Sequence, residues 1–186
     1  MRLVLSIDPG VRGCGCAWWV GEELLHARYV PGSSGCRESG ASEWMETVRA
    51  VEAASEEALD GLRPEVVVVE RMQVYVRGKG DPRDLLALAA MGGGLFRAFG
   101  DAEPVGPLPR EWKGQVPREV MGNRIEQKVR DRDWWGRVAE PRRKANLNDV
   151  MHAVGLGFWY GAVASRNAEQ RVQARPLLLQ PGARLA

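Results

Sequence analysis

Four consecutive valines, Val66 to Val69, constrain the fold of this 186-residue chain more than any other segment of its sequence. A strand with apolar side chains on both faces must be covered on both, which is typical of the interior of a parallel sheet. Residues 2–8 form a second run rich in Leu, Val and Ile. Because a helical segment separates the two runs, we expect both to be central strands of one sheet flanked by helices.

The remaining elements follow from turn residues and from helical periodicity. Residues 14–20 and 23–30 predict two further strands, which form an antiparallel meander with the first. Predicted helices occupy the segment between Ser42 and Gly61, the segment that ends near Phe99, residues 117–132 and residues 147–164, and 103–108 predicts an edge strand. The order βββαβαβα predicts an α/β fold with a five-stranded mixed sheet, in one domain over 1–165 with a basic tail over 166–186.

Composition and charge restrict the class of protein. No apolar run approaches the roughly 20 residues of a membrane helix, and the N-terminus lacks a signal-peptide pattern, so we expect a cytoplasmic protein without a membrane partner. The net charge of +2 hides a sorted distribution, because 104–145 holds eleven basic and six acidic residues whereas 37–70 holds three and nine. Such blocks favour a basic face for a polyanion.

Three acidic residues stand at the ends of apolar elements. Asp8 closes the first strand, Glu70 closes the fourth, and Asp149 lies in the first turn of the last helix. If the two strands are adjacent and parallel, Asp8 and Glu70 meet at one sheet edge, where their repulsion favours a bound cation. Clustered carboxylates suit Mg²⁺. Asp8 alone is equally well explained as a turn residue before Pro9 and Gly10.

The same residues carry a resemblance to a known family. The motifs resemble those of the RuvC family of Holliday junction resolvases, and they are Ile7-Asp8-Pro9-Gly10 with Gly13, Val69-Glu70-Arg71-Met72, and Asn146-Leu147-Asn148-Asp149 before an Ala/Gly-rich helix. The resemblance covers roughly Arg2 to Ala164 and implies a ribonuclease H-like nuclease domain. It also implies a homodimer that resolves four-way DNA junctions by paired symmetric nicking, in DNA recombination and repair.

The resemblance implies a site with two Mg²⁺ ions, for which Mn²⁺ would substitute, held by Asp8, Glu70 and Asp149. Lys113 falls where the family keeps a basic residue near the scissile phosphate, and Arg124 falls near a second such position. Asn146 replaces the family's fourth acidic or histidine ligand with a weaker neutral one. His152, one turn past Asp149, is an alternative ligand, or else a histidine that only packs in the helix interface.

The loop after Glu70 is the predicted DNA contact. Tyr75 substitutes for an aromatic residue that the family places at the junction centre, or is an ordinary loop tyrosine. Arg71, Arg77 and Lys79 beside it are predicted to hold phosphates. Gly92 to Gly94 lie within a helix, where they either pack closely on a neighbouring element or, as the resemblance implies, form the dimer contact.

Other functions remain open at this point. A phage-type nuclease that debranches DNA with relaxed junction preference would have the same motifs. A non-catalytic junction-binding protein would fit the loss of the fourth acid at Asn146. An actin-like phosphotransferase shares the turn after the first strand but needs two lobes. The cleavage sequence and any helicase partner have no signal in the chain.

Overall fold

The structure is a computed structural model that describes residues 2–10, 12–32, 41–73 and 82–178, without the side chains of 41–43, 82 and 167–178. The strands are β1 (Leu3–Gly10), β2 (Gly13–Val20), β3 (Glu23–Pro31), β4 (Val66–Val69), β5 (Glu103–Val105) and β6 (Val138–Ala139). The helices are α1 (Ala41–Ala58), α2 (Pro82–Ala98), α3 (Pro109–Trp112), α4 (Arg118–Asp131) and α5 (Lys144–Leu178), with a 3-10 helix at Trp135–Arg137.

The sheet confirms the predicted α/β fold and has one strand more than predicted. Its order is β5-β4-β1-β2-β3-β6, with β1 parallel to β4 and antiparallel to β2. The additional strand, β6, is a two-residue segment that pairs in parallel with the end of the sheet at Ala27 and Arg28 of β3. A segment this short, followed closely by Pro141, carries no readable alternation, so periodicity alone missed it.

Two hydrophobic cores lie on opposite faces of the sheet. Because side chains alternate along a strand, Val67 and Val69 face the α1 and α2 side, whereas Val66 and Val68 face the α5 side. All four valines are at most 1% exposed, as expected for a strand covered on both faces. Apolar burial on both faces therefore fixes β1 and β4 side by side at the centre of the sheet.

The helices differ from the predictions mainly at their ends. Helix α4 follows Pro117 as expected, whereas α5 begins three residues earlier than predicted and continues to Leu178. Of the three glycines in α2, Gly94 is the one that packs against a neighbour among the described residues, since an added Cβ would lie 3.1 Å from Val48 of α1. Gly92 and Gly93 have open space beside them. Among the described residues, none of the helices is long and apolar enough to span a membrane.

Candidate active site

Asp8 and Glu70 lie side by side at the ends of β1 and β4. Ile7 pairs with Val69 in parallel register, and the next amide, that of Glu70, donates a 3.1 Å hydrogen bond to the Ile7 carbonyl. Since Ser6 precedes Asp8 by two positions and faces α5, the Asp8 side chain points to the same face. Asp8 and Glu70 are only 5% and 7% exposed. The predicted meeting of these two carboxylates at one sheet edge is confirmed.

Helix α5 brings Asp149 to these carboxylates by packing directly on β2. Gly15 pairs with Asp8 across the β1–β2 ladder, and a Cβ added to Gly15 would overlap the Asp149 carbonyl oxygen. Only glycine at this position lets the first turns of α5 approach the sheet so closely. Gly15 therefore sets the position of Asp149 at the site.

His152 lies one turn further along α5 and is completely buried. Its Nδ1 atom lies 3.4 Å from Asp8 Oδ2, and its Nε2 atom lies 3.1 Å from the Arg118 carbonyl oxygen. A carbonyl only accepts, so we assign the ring proton to Nε2, which leaves the lone pair of Nδ1 facing a carboxylate. Within the described residues Nδ1 has no hydrogen-bond partner. One ligand atom each from Asp8, Glu70 and His152 lies within 4.8 Å of the other two.

Trp112 and Lys113 hold the two oxygens of Glu70. The Trp112 indole donates to Oε2 at 3.1 Å, and the Lys113 ammonium donates to Oε1 at 3.2 Å. The Trp112 ring also packs edge-on against His152, and Gly155 makes room for it, since a Cβ there would lie 2.7 Å from Trp112 Cζ3. Lys113 therefore lies beside the carboxylates, and its predicted place near a scissile phosphate stays a prediction.

Arg118, in the first turn of α4, bridges the other two carboxylates. Its Nη2 atom lies 3.3 Å from Asp8 Oδ2 and also donates to Asp149 Oδ1. Arg124, which the sequence favoured as the second basic residue, lies on the exposed part of α4, and the described structure gives it no contact with the three carboxylates. A DNA contact by Arg124 stays a prediction.

The protonation of the carboxylates responds to this crowding. Burial, followed by the charge of Asp8, raises the pKa of Glu70 above its ordinary value, and Lys113 opposes that shift. Burial and Asp8 likewise raise the pKa of Asp149 to about 6, against the effect of Arg118. The two basic residues therefore compensate the negative charge only in part.

The other predicted residues lie outside this cluster or outside the described residues. Asn146 is half-buried beside Asp149, at the mouth of the site. Arg71 is exposed, and its guanidinium lies 3.8 Å from Glu111. Tyr75, Arg77 and Lys79 fall in 74–81, outside the described residues. Their predicted roles in DNA binding are thus neither supported nor contradicted by contacts.

Sequence reasoning missed three residues that shape the site. Trp112, Arg118 and Gly15 are ordinary in sequence, and only the close packing of α3, α4 and α5 on the sheet gives them their contacts. His152 was an open alternative, and the structure brings one of its ring nitrogens within 4.8 Å of ligand atoms of Asp8 and Glu70. The sequence did contain a signal for His152. It follows Asp149 by three positions, and residues three apart on a helix lie on the same face.

The donor set fits a divalent metal ion. Carboxylate oxygens and a neutral imidazole nitrogen are common metal ligands, and a ligating histidine usually donates its other N–H to a carbonyl, as His152 does. The buried Nδ1 atom has no hydrogen-bond partner among the described residues, and a cation at this point would satisfy it. The cluster of Asp8, Glu70 and His152 is therefore a candidate metal centre.

Comparison with known proteins supports the fold through structure alone. No protein-family model matches the chain, and no curated protein matches it. Among solved structures, RuvC of Thermus thermophilus in complex with a Holliday junction substrate matches with a TM-score of 0.60 and 21% identity, over 88% of this chain and 96% of that one. A second Thermus thermophilus RuvC structure matches with a TM-score of 0.56 and 23% identity, over 89% and 96%.

A mitochondrial relative of the same fold also matches. The yeast mitochondrial Holliday junction resolvase Ydc2 has a TM-score of 0.52 and 13% identity, over 91% of this chain and 83% of that one. These likenesses show that the chain has the ribonuclease H-like fold of RuvC-type resolvases. The predicted fold is thereby confirmed, with a sixth strand where five were predicted.

Proposed function

We propose that this protein is a divalent-metal-dependent endonuclease that resolves four-way DNA junctions in DNA recombination and repair. The observation that carries the proposal is the buried group of Asp8, Glu70 and His152, whose ligand atoms converge within 4.8 Å at the ends of two parallel strands. RuvC and Ydc2, which have the same fold, are Holliday junction resolvases. Phosphodiester cleavage is therefore the function that best accounts for this group of residues.

Asp8, Glu70, Asp149 and His152 are the proposed ligands, with Asn146 as a further candidate, for two Mg²⁺ ions that Mn²⁺ can replace. When bound, such ions lower the pKa of water and stabilise the charge that develops on the phosphate. Asp8 lies at the centre of the set, because it contacts His152 on one side and shares Arg118 with Asp149 on the other. Asp8 is therefore the ligand whose loss should do most damage.

The remaining site residues orient the ligands. Trp112 and Lys113 fix both oxygens of Glu70, and the Nε2–H of His152 fixes its ring through the Arg118 carbonyl. The Arg118 guanidinium is 53% exposed. With bound metal ions compensating the charge of Asp8 and Asp149, this guanidinium would be available to a DNA phosphate, as would the Lys113 ammonium.

The proposed partner is branched DNA. The proposed contacts with phosphates and bases are those of the sequence prediction, namely Arg71, Tyr75, Arg77, Lys79 and Arg124. We further propose that the nuclease domain over 1–165 is cytoplasmic and that the basic tail over 166–186 adds DNA contacts.

A homodimer is proposed from the open face of α2. Leu86 is 70% exposed, and a mainly apolar cavity of about 300 Å³ lies between Phe96, Gly93 and the segment after β4. An added Cβ on Gly92 or Gly93 would meet none of the described residues, which leaves this part of the helix backbone open to another helix. Pairing two copies through α2 would cover this apolar surface and give the two active sites that paired nicking needs.

The experiment that tests the function is a cleavage assay on synthetic DNA of defined shape. The purified protein is incubated with Mg²⁺ and either a four-way junction, a Y-fork, a flap or a linear duplex of the same sequences. We expect symmetric paired nicks in the junction and little cleavage of the duplex. Equal cleavage of forks and flaps would indicate a debranching nuclease, and binding of the junction without any nick would contradict the proposal.

A further inference from the structure

A groove opens beside Asp149 on the side of the site away from Glu70. It has a volume of about 420 Å³ and lies between the β1–β2 turn, the end of β3 and the start of α5. The polar residues that line it are Arg12, Tyr29, Arg143, Asn146 and Asp149. None of the roles assigned above to the active site uses Arg12, Tyr29 or Arg143.

The floor of the groove is built around a glycine. Gly13 has a φ of +142°, and a Cβ on it would lie 2.6 Å from the Tyr29 hydroxyl. The Tyr29 side chain therefore rests directly on the backbone of the β1–β2 turn, a contact that glycine alone permits. Arg12 is tied to the same region, because its carbonyl accepts a 3.0 Å hydrogen bond from the amide of Gly32.

The charges in the groove, which leads away from Asp149, suit a bound anion. Burial raises the pKa of Tyr29 to about 12, with Asp149 acting in the same direction and Arg12 and Arg143 opposing it, so both arginines act on one hydroxyl. Arg12 and Arg143 are exposed, and neither forms an ion pair within the described residues. Arg118 already neutralises Asp149 in part. Two unpaired guanidinium groups and a phenol donor thus line one passage.

We propose that this groove binds the sugar–phosphate backbone of the cleaved DNA strand, with Arg12 and Arg143 on phosphates that flank the scissile one and the Tyr29 hydroxyl donating to the same backbone. Arginine forks suit phosphate oxygens, and contacts of this kind fix the register of a strand without reading its sequence. The proposal rests on the proposed function for the identity of the strand. It assigns the groove to positioning of the substrate and not to the chemistry.

The test is equilibrium binding of a fluorescein-labelled four-way junction without divalent metal, over about 50 to 200 mM salt. Arg12→Ala and Arg143→Ala are each compared with Arg63→Ala, which removes the same charge from a 75% exposed arginine at the opposite end of β4. We expect each groove variant to weaken binding roughly tenfold, as for one charge-assisted hydrogen bond, and to lower the salt slope by about one. Arg63→Ala should leave both unchanged.

The outcomes separate this inference from the nuclease proposal. If both groove variants keep the wild-type affinity and salt slope, the proposal that the groove binds DNA is contradicted, even if the wild-type protein nicks the junction. Weaker binding in both variants, with the control unchanged, supports the groove even if no nicking is seen. An equal loss in Arg63→Ala would also overturn it, because a general charge effect would then explain the result.

Discussion

His152 Nδ1 lies 3.4 Å from Asp8 Oδ2, and the opposite ring nitrogen of His152 faces the Arg118 carbonyl oxygen. With the ring proton on Nε2, the two atoms that face each other both carry lone pairs, an arrangement that a cation between them stabilises. Glu70 lies close enough to contribute to the same site. This relationship makes His152 a proposed ligand and not only a packing residue.

The choice between His152 and Asn146 as metal ligand is measurable by titration. His152→Gln keeps a donor for the Arg118 carbonyl but removes the imidazole, so we expect it to weaken Mn²⁺ binding by about 10- to 100-fold or more. Asn146→Ala, at the half-buried mouth, is the matched control and should change the affinity less than about threefold. Calorimetric titration of Mn²⁺ gives both values. The reverse order would assign the ligand to Asn146.

Metal should stabilise the folded protein, because a cation offsets both the burial and the charge of Asp8 that raise the pKa of Glu70 and Asp149. At a free Mg²⁺ or Mn²⁺ concentration about 100 times the Kd, the stabilisation is about 2.7 kcal/mol. For a domain of this size the melting temperature should then rise by about 5–10 °C. Differential scanning calorimetry measures the shift. If Asp8→Asn shows the same shift as wild type, the metal binds elsewhere.

Gly15 is expected to be intolerant of any side chain. Gly15→Ala places a methyl group on the Asp149 carbonyl, so α5 must move away from β2, and we expect a loss of about 2–3 kcal/mol in the free energy of unfolding. Urea denaturation gives the value. Gly136→Ala is the control, since an added Cβ there meets nothing and should cost little. Equal stability of Gly15→Ala and wild type would contradict the described packing.

The dimer proposal predicts a change of mass in solution. Gly93→Glu puts a charge on the open face of α2 and should convert a dimer to a monomer without unfolding it, because Gly93 is exposed within one chain. Light scattering after size-exclusion chromatography measures the mass. Leu62→Glu alters another exposed apolar residue, 61% accessible, and should leave the dimer intact. A monomeric wild-type protein would contradict the proposal.

The sequence predicted the elements that apolar patterning controls. Val66 to Val69 and residues 2–8 indicated two strands covered on both faces. The prediction that Asp8 and Glu70 meet depended on these strands being adjacent and parallel, which they are. Helix α4 was readable from Pro117 at its start. Such features depend on local residues or on the pattern of apolar residues, and both can be read from the sequence.

The contacts between elements could not be read in the same way. Arg118 reaches Asp8 across 110 positions of sequence, and Trp112 reaches Glu70 across 42. Their partners depend on how closely α3, α4 and α5 pack on the sheet, which Gly15 and Gly155 control through the absence of a side chain. A glycine within a strand or helix indicates that another element packs closely there, but the sequence does not show which element it is. The two-residue strand β6 was missed because it is too short for any period.

The measurement that tests the central claim most directly is the nicking of a four-way junction by wild type and Asp8→Asn, with Mg²⁺ omitted and then restored. We predict paired nicks by wild type only when Mg²⁺ is present, and a rate at least about 100-fold lower for Asp8→Asn, since even residues that only support ligands cost up to that much. Asp8→Asn should still bind the junction. Nicking without metal, or nicking by Asp8→Asn at the wild-type rate, would contradict a metal-dependent nuclease centred on Asp8.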